Sequence, residues 1–308
     1  MQIMSKQISH AIHLLIFMLL VVLLGTCASS IYFADGESDI NGAAAFVPTP
    51  LLNVAYPEPV IPGPALAVFP TVEVAPITEN EWSLVRPGLE RRVIQIYDGQ
   101  NQLVETLHLW RLDQKYFRMD LAFDDSPKSL EAWQKETSAL MVVNGGFYSI
   151  DNERYYPDGL FIFNGSDYGN SLNRFEGLLA IKESGTEIRW LKQAPYDPAE
   201  LLWGALQSFP ILVEPGGGLA YGPEREGNAS ARRTVVALDK QGRILFMIAP
   251  HGHFTLPQLS VYLTESDLDL EVALNLDGGG STGVLVASPF EVIPTTRPIP
   301  FVILVYAR

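Results

Sequence analysis

The sequence predicts an α+β fold, mixed and largely antiparallel, for the part of the chain that begins near residue 79. Short apolar or alternating runs follow one another from there to the C-terminus, separated by turn residues at hairpin spacing. Only two segments have helical character, which is too sparse an alternation for a doubly wound parallel sheet. Apolar residues make up 47% of the 308 residues, which suffices for one large core or two modest ones.

Turn residues and apolar periodicity place the individual elements in order. Asp98-Gly99 separates the first two strands, Ser126 is a candidate cap for the first helix, and Lys240-Gln241-Gly242 joins a later hairpin. The predicted strands cover residues 92–97, 103–110, 116–123, 140–143, 160–163, 178–182, 187–191, 206–213, 233–239, 243–249, 271–276, 283–287 and 301–306, and the predicted helices cover 127–139 and 256–263.

The first 29 residues have the features of an export leader. Residues 14–24 are uninterrupted apolar, Lys6 lies upstream, and small residues follow. This pattern predicts a signal peptide. An uncleaved membrane anchor is the alternative, because the largely apolar stretch 11–28 approaches the length of one transmembrane helix. The tetrad ending at Cys27 also resembles a lipobox with a lipidated cysteine. All three interpretations place the remainder outside the cytoplasm, either secreted or held at the cell membrane.

Residues 30–78 are predicted to form a Pro-rich extracytoplasmic linker. Eight prolines fall between residues 41 and 78. Because each proline fixes φ and lacks an N–H, neither a helix nor a central strand can persist there. An extended, polyproline-type spacer is predicted, with an irregular strand lying on the domain surface as the alternative. The predicted organisation is therefore leader 1–29, linker 30–78 and globular domain 79–308.

Charge and cysteine content exclude several classes of function. The formal net charge of −14 repels phosphate backbones, so nucleic acid is not an expected partner. Cys27 is the single cysteine, so no disulfide within the chain and no cysteine-based metal site can form. The glycine-rich loops lack both the Gly-Lys-Ser/Thr of a phosphate-binding loop and the Gly-x-Gly-x-x-Gly of a dinucleotide site. No cofactor is predicted.

Two short apolar strands run directly into glycine-rich loops, and these are the candidate functional segments. The first strand leads into Asn144, Gly145 and Gly146, and the second leads into Asp277, Gly278, Gly279, Gly280 and Ser281. Glycines allow close approach of a ligand to the backbone, and consecutive N–H groups around residues 278–281 are suited to bind an anion. The alternative is that both segments are tight turns or bulges.

Basic residues near other strand ends are further candidates. Arg233 and Thr234 begin an apolar strand, where an arginine suits bidentate binding of an anion; a solvated strand end is the alternative. His251 and His253 flank Gly252 after another strand. They suit acid–base chemistry or are simply polar loop residues. Their spacing also suits a metal, but no third histidine or cysteine-rich partner accompanies them, and we predict no metal.

Five segments in order resemble the phosphodiester glycosidase family over about residues 90–308. They lie at residues 144–148, 207–213, 233–237, 255–259 and 275–281. The family includes the lysosomal enzyme that uncovers mannose 6-phosphate by removing N-acetylglucosamine, and exported bacterial proteins, some associated with exopolysaccharide. The resemblance implies strongly curved antiparallel sheets packed around a few helices. This chain departs from the family pattern at Ser208-Phe209-Pro210 and at residues 250–253, which leaves the substrate open.

The resemblance implies hydrolysis at the anomeric carbon of a sugar-1-phosphodiester, for example one of N-acetylglucosamine, within a glycan or glycoconjugate. Asp277 is then expected to act as nucleophile or general base, and Arg233 to stabilise the departing phosphate. Asn144 is expected to bind a sugar hydroxyl, and Asp158, His251 and His253 are candidates for a second acid–base group. The expected substrate-binding residues are Gly145, Gly146, Thr234, Gly278, Gly279, Gly280, Ser281 and His251.

Two other classes of function remain open at this stage. The same pocket in a non-catalytic binding module would recognise cell-envelope or exopolysaccharide sugar phosphates without turnover. A phosphodiesterase would hydrolyse on the phosphorus side instead. That chemistry usually uses clustered metal ligands, and the sequence contains no obvious cluster of this kind.

Overall fold

A computed structural model describes residues 80–225 and 229–308 of the chain. The predicted leader 1–29 and linker 30–78 lie outside the described residues. Within the described ranges the chain forms twenty β-strands and two α-helices, and every strand pair is antiparallel. The antiparallel character predicted from the sequence is confirmed, and the domain is richer in β-structure than the α+β prediction suggests.

The elements are numbered here in chain order. The first half contains β1 (Ser83–Arg86), β2 (Leu89–Tyr97), β3 (Leu103–Leu112), β4 (Phe117–Lys128), α1 (Leu130–Thr137), β5 (Met141–Asn144), β6 (Tyr148–Asp151), β7 (Arg154–Pro157), β8 (Phe161–Phe163), β9 (Ser166–Tyr168), β10 (Gly177–Lys182) and β11 (Gly185–Trp190). The second half contains β12 (Gly204–Ser208), β13 (Ile211–Glu214), β14 (Gly218–Leu219), β15 (Arg233–Asp239), β16 (Ile244–Ala249), α2 (Leu256–Glu265), β17 (Leu270–Asn275), β18 (Val284–Ala287), β19 (Phe290–Ile293) and β20 (Ile299–Ala307).

The strands form three main sheets and one isolated hairpin. An eight-stranded sheet has the order β1-β2-β3-β16-β15-β17-β13-β14. One five-stranded sheet has the order β11-β10-β12-β8-β9, and the other has the order β19-β18-β5-β20-β4. Among the described strands, the pair β6-β7 forms a separate two-stranded sheet. Strands β5 and β17, which lead into the two glycine-rich loops, therefore belong to different sheets.

The largest core lies where the three sheets face one another. Leu274 of β17, Val143 of β5 and Leu206 of β12 are all fully buried in the same apolar cluster. Aromatic rings fill its centre, with Phe161 and Phe301 in edge contact at 4.4 Å between ring centroids. This packing brings the ends of strands from different sheets together, so that residues from different sheets can form one site.

The two helices cover outer faces of the sheets. Helix α2 packs on the eight-stranded sheet beside β13, and α1 packs against β5 and β18. Thr255 caps α2 through a reciprocal capping box with Gln258, which satisfies two N–H groups at the helix start. The sheets thus build the core between them, and the helices flank it.

Two element predictions are corrected by the structure. Helix α1 begins at Leu130, because Ser129, and not Ser126, accepts the N-cap hydrogen bond. Lys128 still belongs to β4, where it pairs with Ile299 of β20. The single strand predicted at 206–213 is two strands in different sheets. The chain turns between them at Phe209 and Pro210, where the proline cannot donate to a strand ladder.

Candidate active site

Strand ends from three parts of the chain meet at Asn144. This residue ends β5, and its side-chain Nδ2 donates to the main-chain oxygen of Asp277 at 2.7 Å. Thr234, near the start of β15, donates its hydroxyl to the Asn144 Oδ1 atom at 2.7 Å. The main-chain N–H of Gly283 donates to the same oxygen at 3.1 Å. The sequence-predicted residues Asn144, Thr234 and Asp277 are therefore joined by direct hydrogen bonds.

The contacts of Asn144 indicate that it positions the Asp277 loop. The Asn144 side chain is 1% exposed, and both polar atoms of its amide have partners within the protein. Thr234 is likewise fully buried with its hydroxyl donated to Asn144. These hydrogen bonds are all made within the protein, so we assign Asn144 and Thr234 to scaffolding. This differs from the expectation that Asn144 and Thr234 contact the sugar.

Gly145 and Gly146 are needed for packing at the end of β5. A Cβ atom on Gly145 would lie 2.8 Å from the ring of Phe301, and one on Gly146 would lie 3.2 Å from Leu206. Gly145 also accepts a hydrogen bond from the Asp277 N–H at 3.2 Å and donates to Phe301 at 2.9 Å. The absence of side chains here lets the Asp277 loop approach β5 closely.

Asp277 has a pKa that suits acid–base or nucleophilic chemistry near neutral pH. Burial raises the pKa of its carboxyl to about 6, and the negative charge of Asp158 acts in the same direction. Hydrogen bonds from Ser281 and from the Gly278 N–H, together with the positive charge of Arg297, oppose the increase in pKa. A carboxyl with a pKa near the working pH is efficient in proton transfer.

The loop after Asp277 does not form the anion-binding cradle predicted from its glycines. The Gly278 N–H donates to the Asp277 carboxylate at 2.8 Å, and the Gly279 N–H donates to the Arg232 carbonyl at 2.8 Å. The Ser281 N–H donates to the Gly278 carbonyl at 3.1 Å. Because these donors are already bonded, they are unavailable to a phosphate, and the loop instead shapes and orients the Asp277 side chain.

Arg297 supplies the cation at this site, and sequence reasoning missed it. Its guanidinium lies 3.4 Å from the Ser281 hydroxyl and 5.7 Å from the ring centre of Tyr148. Thr296 holds the same segment by donating its N–H to the Gly280 carbonyl at 2.9 Å. Gly280 has no Cβ, which would otherwise lie 2.8 Å from the Thr296 hydroxyl. Gly280 therefore permits the approach of the segment that carries Arg297.

Arg233 points away from this site, contrary to the sequence-based expectation. Side chains alternate along a strand, so Arg233 lies on the face opposite to Thr234, the side that carries α2. Its guanidinium donates to the carbonyls of Phe254 at 3.2 Å and Ala229 at 2.7 Å. The guanidinium therefore holds the two segments that precede β15 and α2, and it does not face Asp277.

The histidine loop is organised by a buried carboxylate. Glu105 is fully buried and accepts the main-chain N–H groups of His251 at 3.0 Å and His253 at 3.2 Å. The His253 ring contacts Phe254 in an edge geometry. These contacts account for the shape of the loop, and none of them joins the histidine rings to Asp277.

Comparison with a family model identifies the chain. Residues 137–306, just over half of the chain, match the model of the phosphodiester glycosidase family. The chain belongs to the phosphodiester glycosidase family. The matched range contains all of the residues around Asp277, so the family supports a glycosidase-type function for the same site. No curated protein sequence matches the chain.

Two solved structures share the fold of this phosphodiester glycosidase family member. The catalytic domain of zebrafish N-acetylglucosamine-1-phosphodiester alpha-N-acetylglucosaminidase, auto-inhibited by its pro-peptide, aligns with a TM-score of 0.59 at 18% identity, covering 75% of this chain and 87% of that one. A hypothetical protein from Synechocystis aligns with a TM-score of 0.58 at 12% identity, covering 72% and 62%.

Tyrosine side chains complete the surroundings of Asp277 in this family member. The Tyr148 hydroxyl lies 3.5 Å from the Ser281 hydroxyl, and its ring lies 5.5 Å from that of Tyr155 across the β6-β7 hairpin. Burial raises the pKa of Tyr148, and the charge of Asp277 adds to that increase. Asp158 follows the same hairpin and donates its N–H to Phe147 at 2.9 Å. The hairpin thus brings Tyr148 and Asp158 towards one side of the site.

Two further features of the described residues concern metal ligands and membrane spans. In residues 80–225 and 229–308, no group of three or more His, Cys, Asp or Glu side chains is arranged to hold a metal ion. No helix in the described part of the chain is long and apolar enough to cross a membrane. The apolar run at residues 14–24 lies outside the described residues.

Proposed function

We propose that this chain is an exported hydrolase that cleaves the glycosidic bond of a sugar-1-phosphodiester, as in N-acetylglucosamine-1-phosphodiesters, in a glycan or glycoconjugate. The observation that carries the proposal is the pairing of Asp277, whose pKa is raised to about 6, with the cation Arg297 around one serine. A carboxyl and a cation next to each other suit a reaction in which positive charge develops on a sugar and negative charge on a phosphate.

The proposed roles follow from charge and access. Asp277 in its ionised form acts as nucleophile at the anomeric carbon or as the base that activates water. Arg297 is exposed and faces the same loop, so it contacts the phosphate and stabilises the charge that grows on it. A phosphate monoester is a good leaving group, so it departs with less help from an acid than a sugar alcohol requires.

Asp158 is the proposed second carboxyl. Its charge is close enough to raise the pKa of Asp277, and it is partly exposed next to the β6-β7 hairpin. The negative charge of Asp158 therefore favours the protonated form of the Asp277 carboxyl. Tyr148 and Tyr155 offer aromatic surface for a sugar ring at the same side.

Export is proposed from the N-terminal sequence. A positively charged start, the apolar run 14–24 and the small residues that follow have the composition of a signal peptide. Expression of the full chain with fractionation of cells and N-terminal sequencing of the product tests this. A product found outside the cytoplasm, cleaved or lipidated, supports export, and full-length protein in the cytoplasm contradicts it.

Hydrolysis of a UDP-linked sugar or a p-nitrophenyl sugar phosphodiester tests the proposed activity. We expect turnover by the unaltered chain, and a loss of about 100-fold or more in kcat/KM for Asp277→Asn. Asp125→Asn is the matched control, because Asp125 is exposed on β4. Full activity of Asp277→Asn with an unchanged melting temperature would reduce Asp277 to a scaffold residue. Saturable binding of the substrate without turnover by the unaltered chain would instead favour a binding module.

A further inference from the structure

A cavity lies between the β10-β11 hairpin and the β13-β14 edge of the eight-stranded sheet, outside the candidate active site. Its volume is about 360 Å³, within the range of ligand pockets in proteins. Its walls include three aromatic residues, Trp190, Phe209 and Tyr221, and its polar lining includes Glu176, Glu224 and Arg225. None of these residues takes part in the hydrogen bonds that join Asn144, Thr234 and Asp277.

The aromatic walls have fixed orientations. The rings of Phe209 and Tyr221 meet edge to face, with centroids 5.6 Å apart. The Trp190 indole N–H donates to the Glu176 carboxylate at 3.3 Å, which holds the indole plane in place. All three side chains are only partly buried, so part of each ring remains open to the cavity. Rigid, partly exposed rings of this kind bind flat apolar surfaces with little loss of side-chain entropy.

The charges around the cavity are compensated within the protein. Glu176 pairs with Lys192 at 2.5 Å, and Glu224 pairs with Arg225 at 3.7 Å. A cavity with balanced charges does not select a strongly ionic ligand. Its carboxylates and guanidinium still offer hydrogen-bond acceptors and donors next to the rings. A neutral pyranose ring has this complementary chemistry, with apolar C–H faces and hydroxyl groups around the edge.

The cavity is connected to the candidate active site through one strand. The Phe209 carbonyl accepts a hydrogen bond from the Asn275 side chain at 2.8 Å. Asn275 ends β17, two residues before Asp277. The aromatic cavity and the Asp277 loop are therefore attached to the same strand, which fixes their separation.

We propose that this cavity is a subsite for a neutral sugar residue of the glycan, remote from the bond that is cleaved. The proposal rests on the proposed function in so far as that function makes a glycan the substrate. Binding at the cavity does not require Asp277, so the subsite and the hydrolytic activity are separable by experiment.

Calorimetry with two neutral tetrasaccharides, N-acetylchitotetraose and maltotetraose, tests the subsite on the full chain. We expect saturable binding of at least one of them, retained in Asp277→Asn and weakened about tenfold or more in Trp190→Leu. Trp203→Leu is the matched control, because Trp203 is an exposed tryptophan next to β12 and outside the cavity lining. It should bind like the unaltered chain.

A second variant covers the case in which Trp190→Leu fails to fold. Glu224 and Arg225 are exposed, and the double change Glu224→Gln/Arg225→Gln removes both charges and the guanidinium donors from the polar lining. We expect weaker tetrasaccharide binding, with hydrolysis of a monosaccharide phosphodiester unchanged. Equal binding by this variant and the unaltered chain, or no saturable binding of either tetrasaccharide, would overturn the subsite. Retained binding by a chain without turnover would overturn the proposed hydrolysis alone.

Discussion

The ionisation of Asp277 is set by opposing neighbours. Burial and Asp158 raise its pKa to about 6, whereas Ser281, Gly278 and Arg297 act to lower it. If the ionised carboxylate is the reactive form, kcat/KM rises with pH and levels off above about pH 6. This rise in kcat/KM is the acid limb of the pH–rate profile. A change in any one neighbour shifts the acid limb along the pH axis, and the charge of that neighbour determines the direction of the shift.

Removing the charge of Arg297 tests that balance. Arg297→Gln should move the acid limb of kcat/KM to higher pH, because a positive charge that lowers the pKa of Asp277 is lost. It should also lower kcat/KM at pH 8 by about tenfold or more, since the departing phosphate loses a cation. pH–rate profiles measure both effects. Arg118→Gln on β4 is the control, and an Arg297→Gln profile that coincides with it would contradict the role of Arg297.

The raised pKa of Asp277 also predicts how the stability of the fold depends on pH. Asp277 has a folded-state pKa raised from the ordinary 3.8 to about 6, so its ionised form disfavours the fold. Stability is lost as the pH rises from about 4 through 6. Asp277→Asn removes this cost and should stabilise the protein by about 1–3 kcal/mol at pH 7.5 but not at pH 4. Thermal melts at the two pH values measure the difference, and an equal or lower melting temperature at pH 7.5 would contradict the burial of this charge.

At the residue scale, the sequence could predict that Asp277 and Asn144 belong to the site. It could not predict which contacts their side chains make. Both follow apolar strands, and that pattern located them. The direction of an amide or guanidinium depends on partners elsewhere in the chain, as with the carbonyls that hold Arg233. Arg297 lies in a proline-flanked loop with no motif visible in composition, and contacts of that loop with residues distant in sequence, such as Gly280, bring it to Asp277.

At the element scale, the glycines after β5 couple this strand to β20. A Cβ atom on Gly145 would lie 2.8 Å from the ring of Phe301, so Gly145→Ala should destabilise the fold by about 1–3 kcal/mol through overpacking. Phe301→Leu should relieve part of that penalty in the double variant. Gly99→Ala is the control, because no atom lies within 4 Å of a Cβ there. Additive effects of the two changes in denaturant unfolding would contradict the contact.

The elements that the sequence could predict are those with strong local signals. The strand 233–239 was predicted with the bounds of β15, because its apolar run ends at a clear turn. The segment 206–213 was predicted as one strand, since continuous apolar character does not reveal that β12 and β13 join different sheets. Short strands such as β6 and β7 were missed, because their mostly exposed residues carry no burial pattern.

At the scale of the whole molecule, the described domain contains its own core. Its strands from β1 to β20 build the apolar clusters from residues within the described ranges. A chain that begins at Glu79 should therefore fold with the stability of one that begins at Ser30. Circular dichroism melts of the two proteins measure this. A marked loss of stability in the shorter chain would show that residues 30–78 pack on the domain, as in the alternative to a linker.

The position of the cleaved bond tests the central claim most directly. Hydrolysis of a sugar-1-phosphodiester in oxygen-18 water, with mass analysis of both products, distinguishes attack at carbon from attack at phosphorus. Glycosidic cleavage predicts that the label enters the sugar at C1 and that the phosphomonoester stays unlabelled, with the signal lost in Asp277→Asn. Label in the phosphomonoester, with an unlabelled sugar, would contradict the account.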